Sequence, residues 1–213
     1  MLHSLDRERL LKELKVRRIH ITPRLLTLLT PETAARFANP WEPVERLAAM
    51  MGRLPLGALR FLLVSPSGAL VLTHADSGYV RGPYPLHRKQ LENAALIPAA
   101  ALLEDDVAPL RLTACLYDHL LGSGGAAGGP NLSDGIGITP RWTEVAAQIP
   151  RLFALGHNPD PTCRRSPADY FAQSVALYAT RPKGLNVADP AMYKLLTRSF
   201  FSENFWRQKH ADN

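Results

Sequence analysis

Four side chains able to do chemistry stand close together in the middle of the chain. In RLTACLYDHLLG (residues 111–122), Arg111, Cys115, Asp118 and His119 fall at i, i+4, i+7 and i+8. On a helix this spacing places all four on one face. A Cys and a His one turn apart suit zinc, whereas a lone Cys on a helix is more often a small core residue. The stretch follows a strand-like run at 94–103. It ends in a Gly/Ser cluster at 122–129 that cannot continue a helix.

The second half of the chain resembles the lethal-factor-type zinc peptidases, a gluzincin group whose motif helix reads H-E-x-x-H. No His-Glu pair occurs in the chain. LYDHLLGS (116–123) followed by NLSDG (131–135) is similar to the family's motif helix, its Gly-rich exit and a Leu-Ser turn. SPADYFAQSVALYATRP (166–182) is similar to its E-[FY]-F-A-[EQ] segment, whose first carboxylate is the third zinc ligand. DPAMYKLL (189–196) fits its closing helix. The resemblance covers residues 93–205. It implies a zincin-like α+β fold, mostly helical, with a small mixed sheet of about three to four strands beside the motif helix.

The motif can be laid on the chain in two registers. In the favoured one, Asp118 matches an Asp three residues after the second His. Arg111 and Cys115 then occupy the ligand positions and Leu112 the general-base position. In the other, Cys115 and His119 are the ligand positions and Leu116 replaces the base. Either way the base is leucine, which cannot take a proton from water, and general-base catalysis is typically worth about 10² to 10⁴-fold. Asp169 falls at the third-ligand position and Gln173 at that of the second acid. The resemblance thus implies a non-catalytic pseudopeptidase with no cofactor, acting as a module that binds a protein or peptide. The alternative is a surviving zinc site or peptidase using Cys115, His119 and Asp169, joined by His157 or Cys163. Asp169 also has a plainer role. It stands three residues after Ser166 and would complete a capping box.

Composition frames these expectations. The chain has 213 residues, is 46% hydrophobic and has two cysteines, so it can bury a core without a disulfide framework. No secretory h-region and no run of 18 apolar residues is present, which implies a cytoplasmic protein without a membrane span. A net charge of +6 favours acidic partners. The most cationic stretch is an amphipathic helix at 3–18, with Ser4 as a candidate N-cap. Arg7, Arg9, Lys12, Lys15, Arg17 and Arg18 would be the contact face if the protein bound nucleic acid. Against that, Asp6, Glu8 and Glu13 are interspersed, as on a solvated helix face.

The remaining elements follow from breakers and period. Short helices are expected at 23–29 and 31–38, a longer one at 41–54, and strands at 59–64 and 69–73 joined by a hairpin turn at 65–68. Residues 79–80 read as a short edge strand stopped by Gly82-Pro83. Pro98 inside 94–103 implies an edge strand or a bulge there, which would blunt strand addition by a peptide. His74, Asp76 and His87 lie in loops and are too ordinary a grouping to imply metal. Residues 104–106 suit a helix N-terminus. The loop 122–130 is expected to be mobile, and helices are expected from Thr139, Ser166 and Asp189. Residues 1–92 form a helical region with a hairpin and 93–213 the peptidase-like region, together one compact domain.

Overall fold

The computed structural model describes residues 2–157, 161 and 165–207. In chain order it contains α1 (Leu2–Arg17), β1 (Ile19–Ile21), α2 (Leu25–Leu28), α3 (Pro31–Ala34), α4 (Glu42–Met51), α5 (Leu56–Val64), β2 (Ala69–Thr73), β3 (Gly78–Leu86) and β4 (Lys89–Pro98). Then follow α6 (Ala101–Glu104), α7 (Val107–Ser123), a 3₁₀ turn (Leu132–Asp134), α8 (Pro140–Ala146), α9 (Ile149–Ala154), α10 (Pro167–Thr180), α11 (Pro182–Ala188), α12 (Pro190–Arg198) and α13 (Glu203–Arg207). This is a mostly helical α+β architecture around one small mixed sheet.

The sheet order is β1-β2-β4-β3. β1, β2 and β4 run parallel, with Ile19 opposite Leu70 and Leu70 opposite Ala95. β3 lies antiparallel at the edge beside β4, with Tyr79 opposite Ala95. β2 is buried along its whole length, as a strand covered on both faces must be.

Three expectations are corrected here. Residues 59–64 are helical, not a strand. Leu56, Leu59, Leu62 and Leu63 are buried at i, i+3, i+6 and i+7. A short apolar run cannot be told from a strand by period alone. In this chain, distant residues cap the helix: the backbone N–H of Leu56 donates to Glu203 Oε1 at 2.6 Å and that of Gly57 to Oε2 at 3.2 Å. Residues 65–68 therefore join α5 to the parallel strand β2 rather than closing a hairpin. The hairpin is instead β3–β4, and β3 runs past Gly82-Pro83 through a register shift between Val80 and Pro83.

Pro98 does not mark an edge. It is the last residue of β4, which lies between β2 and β3. A proline there ends the ladder, because it has no N–H to continue it. The chain then turns into α6.

Most caps are where the local sequence puts them. The side chains of Thr30, Thr139, Ser166 and Asp189 each accept from the backbone N–H three residues on. Asp105 Oδ1 accepts from the Val107 N–H at 2.9 Å at the head of α7. Ser4 lies inside α1, which begins at Leu2, rather than at its cap.

One hydrophobic cluster runs from Leu14 through α4, α5, β2, β4, α7 and α10 to Phe205, joining the stretches 1–92 and 93–213. α7 sits in its middle, packed on β4 on one side and α10 on the other. A second cluster, Ala69, Val71, Ala94 and Leu96, forms the other face of the sheet. Val80, Tyr84, Leu86 and Leu91 of the β3–β4 hairpin pack against it. The C-terminus closes the core: a Cβ on Gly57 would lie 2.1 Å from Trp206 Cβ, so only glycine admits that close contact.

Candidate functional site

α7 presents its chemical residues on two sides, and their partners differ. At its N-terminal half, Arg111 Nη1 lies 3.8 Å from Asp169 Oδ1 on α10, with both side chains about a quarter exposed, 26% and 29%. Asp169 also closes a reciprocal cap with Ser166: its backbone N–H donates to Ser166 Oγ, and that hydroxyl donates back to Asp169 Oδ2, both at 3.1 Å. The capping role and the cross-helix role coexist. Cys115, one turn on from Arg111, is half-buried. Burial pushes its thiol up to about 11, with Arg111 opposing the rise and Asp118 and Asp169 adding to it. Cys115 is therefore a neutral thiol near pH 7, a poor nucleophile and a reluctant ligand.

The general-base positions are apolar in place as well as in type. Leu112 is 3% exposed and Leu116 fully buried, both within the main core. A carboxylate there would lose its solvation with no partner supplied.

The C-terminal half of α7 is buried. Asp118 Oδ1 accepts from the Ser133 backbone N–H at 2.8 Å and Oδ2 from its hydroxyl at 2.7 Å. The motif helix and the Leu-Ser turn are thus one unit, since Ser133 sits in the 3₁₀ turn. Burial pushes Asp118 up to about 7, against those two hydrogen bonds, which favour the charged form. The turn has its own capping box, in which the Asn131 N–H donates to Asp134 Oδ2 at 2.8 Å.

His119 is fully buried and both ring nitrogens are engaged. Nε2 lies 3.0 Å from the Ala126 carbonyl, and Nδ1 lies 2.6 Å from Tyr79 Oη on β3. A carbonyl can only accept, so Nε2 carries the proton and Nδ1 accepts from the tyrosine hydroxyl. Burial lowers the pKa of His119, partly offset by the Ala126 carbonyl and reinforced by Arg81. The ring is a neutral bridge between the edge strand and the Gly-rich loop.

That loop is tied to the sheet and to α7 by side-chain hydrogen bonds. Asn93 Nδ2 donates to the Gly125 carbonyl at 2.7 Å and Arg81 Nη1 to the Gly129 carbonyl at 3.1 Å. Arg81 Nη2 also reaches Asn131 Oδ1 at 2.8 Å. Gly125 has φ +83° and sits so close that a Cβ would meet Ser67 Oγ at 2.4 Å. Glycine serves close packing here rather than freedom. Tyr79, Arg81 and Asn93 carry this arrangement, and sequence reasoning missed all three. Their partners lie some 30 to 50 residues away, and no local pattern signals them.

Compared with protein families, with curated proteins and with solved structures, the chain matches none. The geometry brings together the positions of the first register: Arg111 and Cys115 on α7 face Asp169 on α10. His119, essential to the second register, is held on β3 and the loop instead. These residues do not suit zinc. A guanidinium has a fixed positive charge and no lone pair to give. Both nitrogens of His119 are already used. Among the described residues, no three His, Cys, Asp or Glu side chains form a group that could hold a metal. Cys163 lies outside the described residues. His157, His74, Asp76 and His87 are exposed in loops.

The six basic residues of the N-terminal stretch do not form one free face. Arg7 donates to the Gly52 and Leu54 carbonyls, and Arg18 to those of Leu63, Ser65 and Gly68. Both satisfy carbonyls at the ends of α4 and α5 and in the links that follow them. Lys15 pairs with Glu45 at 2.7 Å and Arg9 with Glu13 at 3.2 Å. Lys12 and Arg17 are exposed and, among the described residues, unpaired. Among the described residues, no helix is long and apolar enough to cross a membrane.

Proposed function

We propose that the protein is a non-catalytic pseudopeptidase on a zincin-like scaffold, serving as a protein- or peptide-binding module. One observation carries this: the Arg111 guanidinium stands beside Asp169, so an internal cation takes the place that the resemblance gives to the metal. The buried leucines at 112 and 116 support it, because no base is positioned beside that cation. So does the packing of α7 between β4 and α10, the helix that carries the third-ligand position.

On this proposal the binding element is the edge strand β3, which lies against α7 and has one open side. An extended peptide would add to it through main-chain hydrogen bonds. Prolines blunt the edge at Pro83 and Pro85, confining addition to the stretch around Gly78–Gly82. The blunting expected from Pro98 thus belongs to the neighbouring strand.

The test restores what was lost. The triple variant Arg111→His, Cys115→His, Asp169→Glu places family ligands at the three positions. Purified without a tag or chelator, it is expected to hold about one zinc per chain by elemental mass spectrometry, and the natural chain none. A natural chain that holds zinc and loses it in Cys115→Ser or His119→Ala overturns the proposal. So does hydrolysis of a peptide library that Asp169→Ala abolishes.

A further inference from the structure

The groove between α8–α9 and α12 sets three cations beside partly apolar walls, and it lies apart from the α7 site. We propose that it binds a small amphipathic organic anion, an apolar body carrying a carboxylate, phosphate or sulfonate. Its volume is about 550 Å³, and ligand pockets typically enclose about 300–1,000 Å³. Leu152 and Ala191 supply the accessible apolar surface over the buried Val145, Leu195 and Phe205, and Arg141, Lys194 and Arg198 the positive charge.

Three features mark the charge as directed. Lys194 and Arg198 stand one turn apart on the same face of α12, where like charges repel. Among the described residues, no carboxylate lies within ion-pair distance of Arg141, Lys194 or Arg198, and Glu144 is the one acidic residue lining the groove. Arg141 is held in place: its guanidinium lies 3.9 Å from the centroid of the Phe205 ring, and Nη1 donates to the Phe205 carbonyl at 3.2 Å. A helix C-terminus accounts for a basic residue at 198, but not for Arg141 on another helix or for Lys194 before the last turn. An anion entering the groove relieves this repulsion, and its apolar part covers Leu152 and Ala191. Nucleic acid would call instead for a broad stripe along a backbone.

The experiment is a fluorescence titration of the full chain with 8-anilinonaphthalene-1-sulfonate, an aromatic sulfonate of this class. One bound probe per chain is expected. Lys194→Glu and Arg198→Glu should each weaken it about tenfold, as the loss of a charge-assisted contact implies. Glu144→Gln should tighten it. The uncharged N-phenyl-1-naphthylamine, with the same rings and no sulfonate, should bind at least about tenfold more weakly. Lys194 and Arg198 are exposed, so both variants should keep the fold, which near-UV circular dichroism checks. Arg198→Gln offers a milder variant expected to move affinity in the same direction. Equal affinity in the natural chain and the charge variants overturns the proposal, as does no binding or equal binding of the uncharged probe.

Discussion

Two groups of polar side chains that meet at α7 behave differently. Asp118 and His119, in the C-terminal half of α7, are buried, and each reactive atom has a short hydrogen bond of 2.6 to 3.0 Å. Arg111 and Asp169 are about a quarter exposed and stand 3.8 Å apart, beyond hydrogen-bond distance. By residue type, both groups could do chemistry. What separates them is desolvation. A buried polar group must have partners, so it becomes part of the frame. A partly wet ion pair can be gained or lost at little cost.

The largest effect expected from this contrast is at Asp118. Asp118→Ala leaves the N–H and hydroxyl of Ser133 without acceptors in a dry site and opens a small cavity. Unfolding by urea should show a loss of about 3 kcal/mol. If the loss is below about 1 kcal/mol, water must reach Ser133, and the two halves of α7 are not as different as their burial implies.

His119 comes next, and pH separates it from Asp118. Replacing it with Phe leaves the Tyr79 hydroxyl and the Ala126 carbonyl unmatched, at a cost of about 2 kcal/mol. Amide exchange at 122–130 should quicken, because one tie to the loop is gone. The two residues also pull stability in opposite directions with pH. Asp118 has a folded pKa raised to about 7, so the folded state holds its proton between the ordinary carboxylate range and 7. Its contribution is fully present below the unfolded pKa and is lost as pH rises to 7. His119 has a lowered folded pKa, so the unfolded state takes up the proton first. Its contribution is present above the unfolded pKa of about 6.5 and is lost as pH falls below it. Relative to the natural chain, Asp118→Asn should therefore steepen the rise of stability with pH between 4 and 7. His119→Phe should flatten the loss of stability as pH falls below about 6.5. Parallel curves for the two variants would show that the pair does not titrate on unfolding.

How much of this was legible in the sequence depended on distance along the chain. Caps are local, so Thr30, Thr139, Ser166 and Asp189 could be read directly, and they start their helices as read. The face shared by Arg111 and Cys115 follows from helical period alone. Residues 59–64 were misread because Glu203, which caps α5, lies about 140 residues away and a short apolar run suits either structure. The ties on the Gly-rich loop were not legible for a related reason. Composition shows that its backbone is free, not that Asn93, Arg81 and His119 hold it. Burial was the missing quantity throughout: it turned His119 from a candidate ligand into a tie. The Arg111–Asp169 pair left one trace in the sequence, opposite charges at two positions that, on the proposed resemblance, would both bear ligands.

That pair gives the smallest expected effect, and the smallness is what matters. Partly exposed ion pairs contribute about 0–1 kcal/mol, and salt screens them. Arg111→Leu should therefore change stability by less than about 1 kcal/mol, and raising NaCl from 0.1 to 1 M should remove most of the difference. Asp169→Asn keeps the hydroxyl contact with Ser166 and should fall in the same range, whereas Asp169→Ala also weakens the start of α10 and should cost somewhat more. A loss of several kcal/mol in Arg111→Leu would mean that Arg111 has become a structural replacement for the metal, essential to holding α7 against α10. A loss near zero means that the guanidinium only fills the position. The scaffold would then tolerate its removal, and the ligand-restoring triple variant would begin from a site that nothing else in the fold depends on.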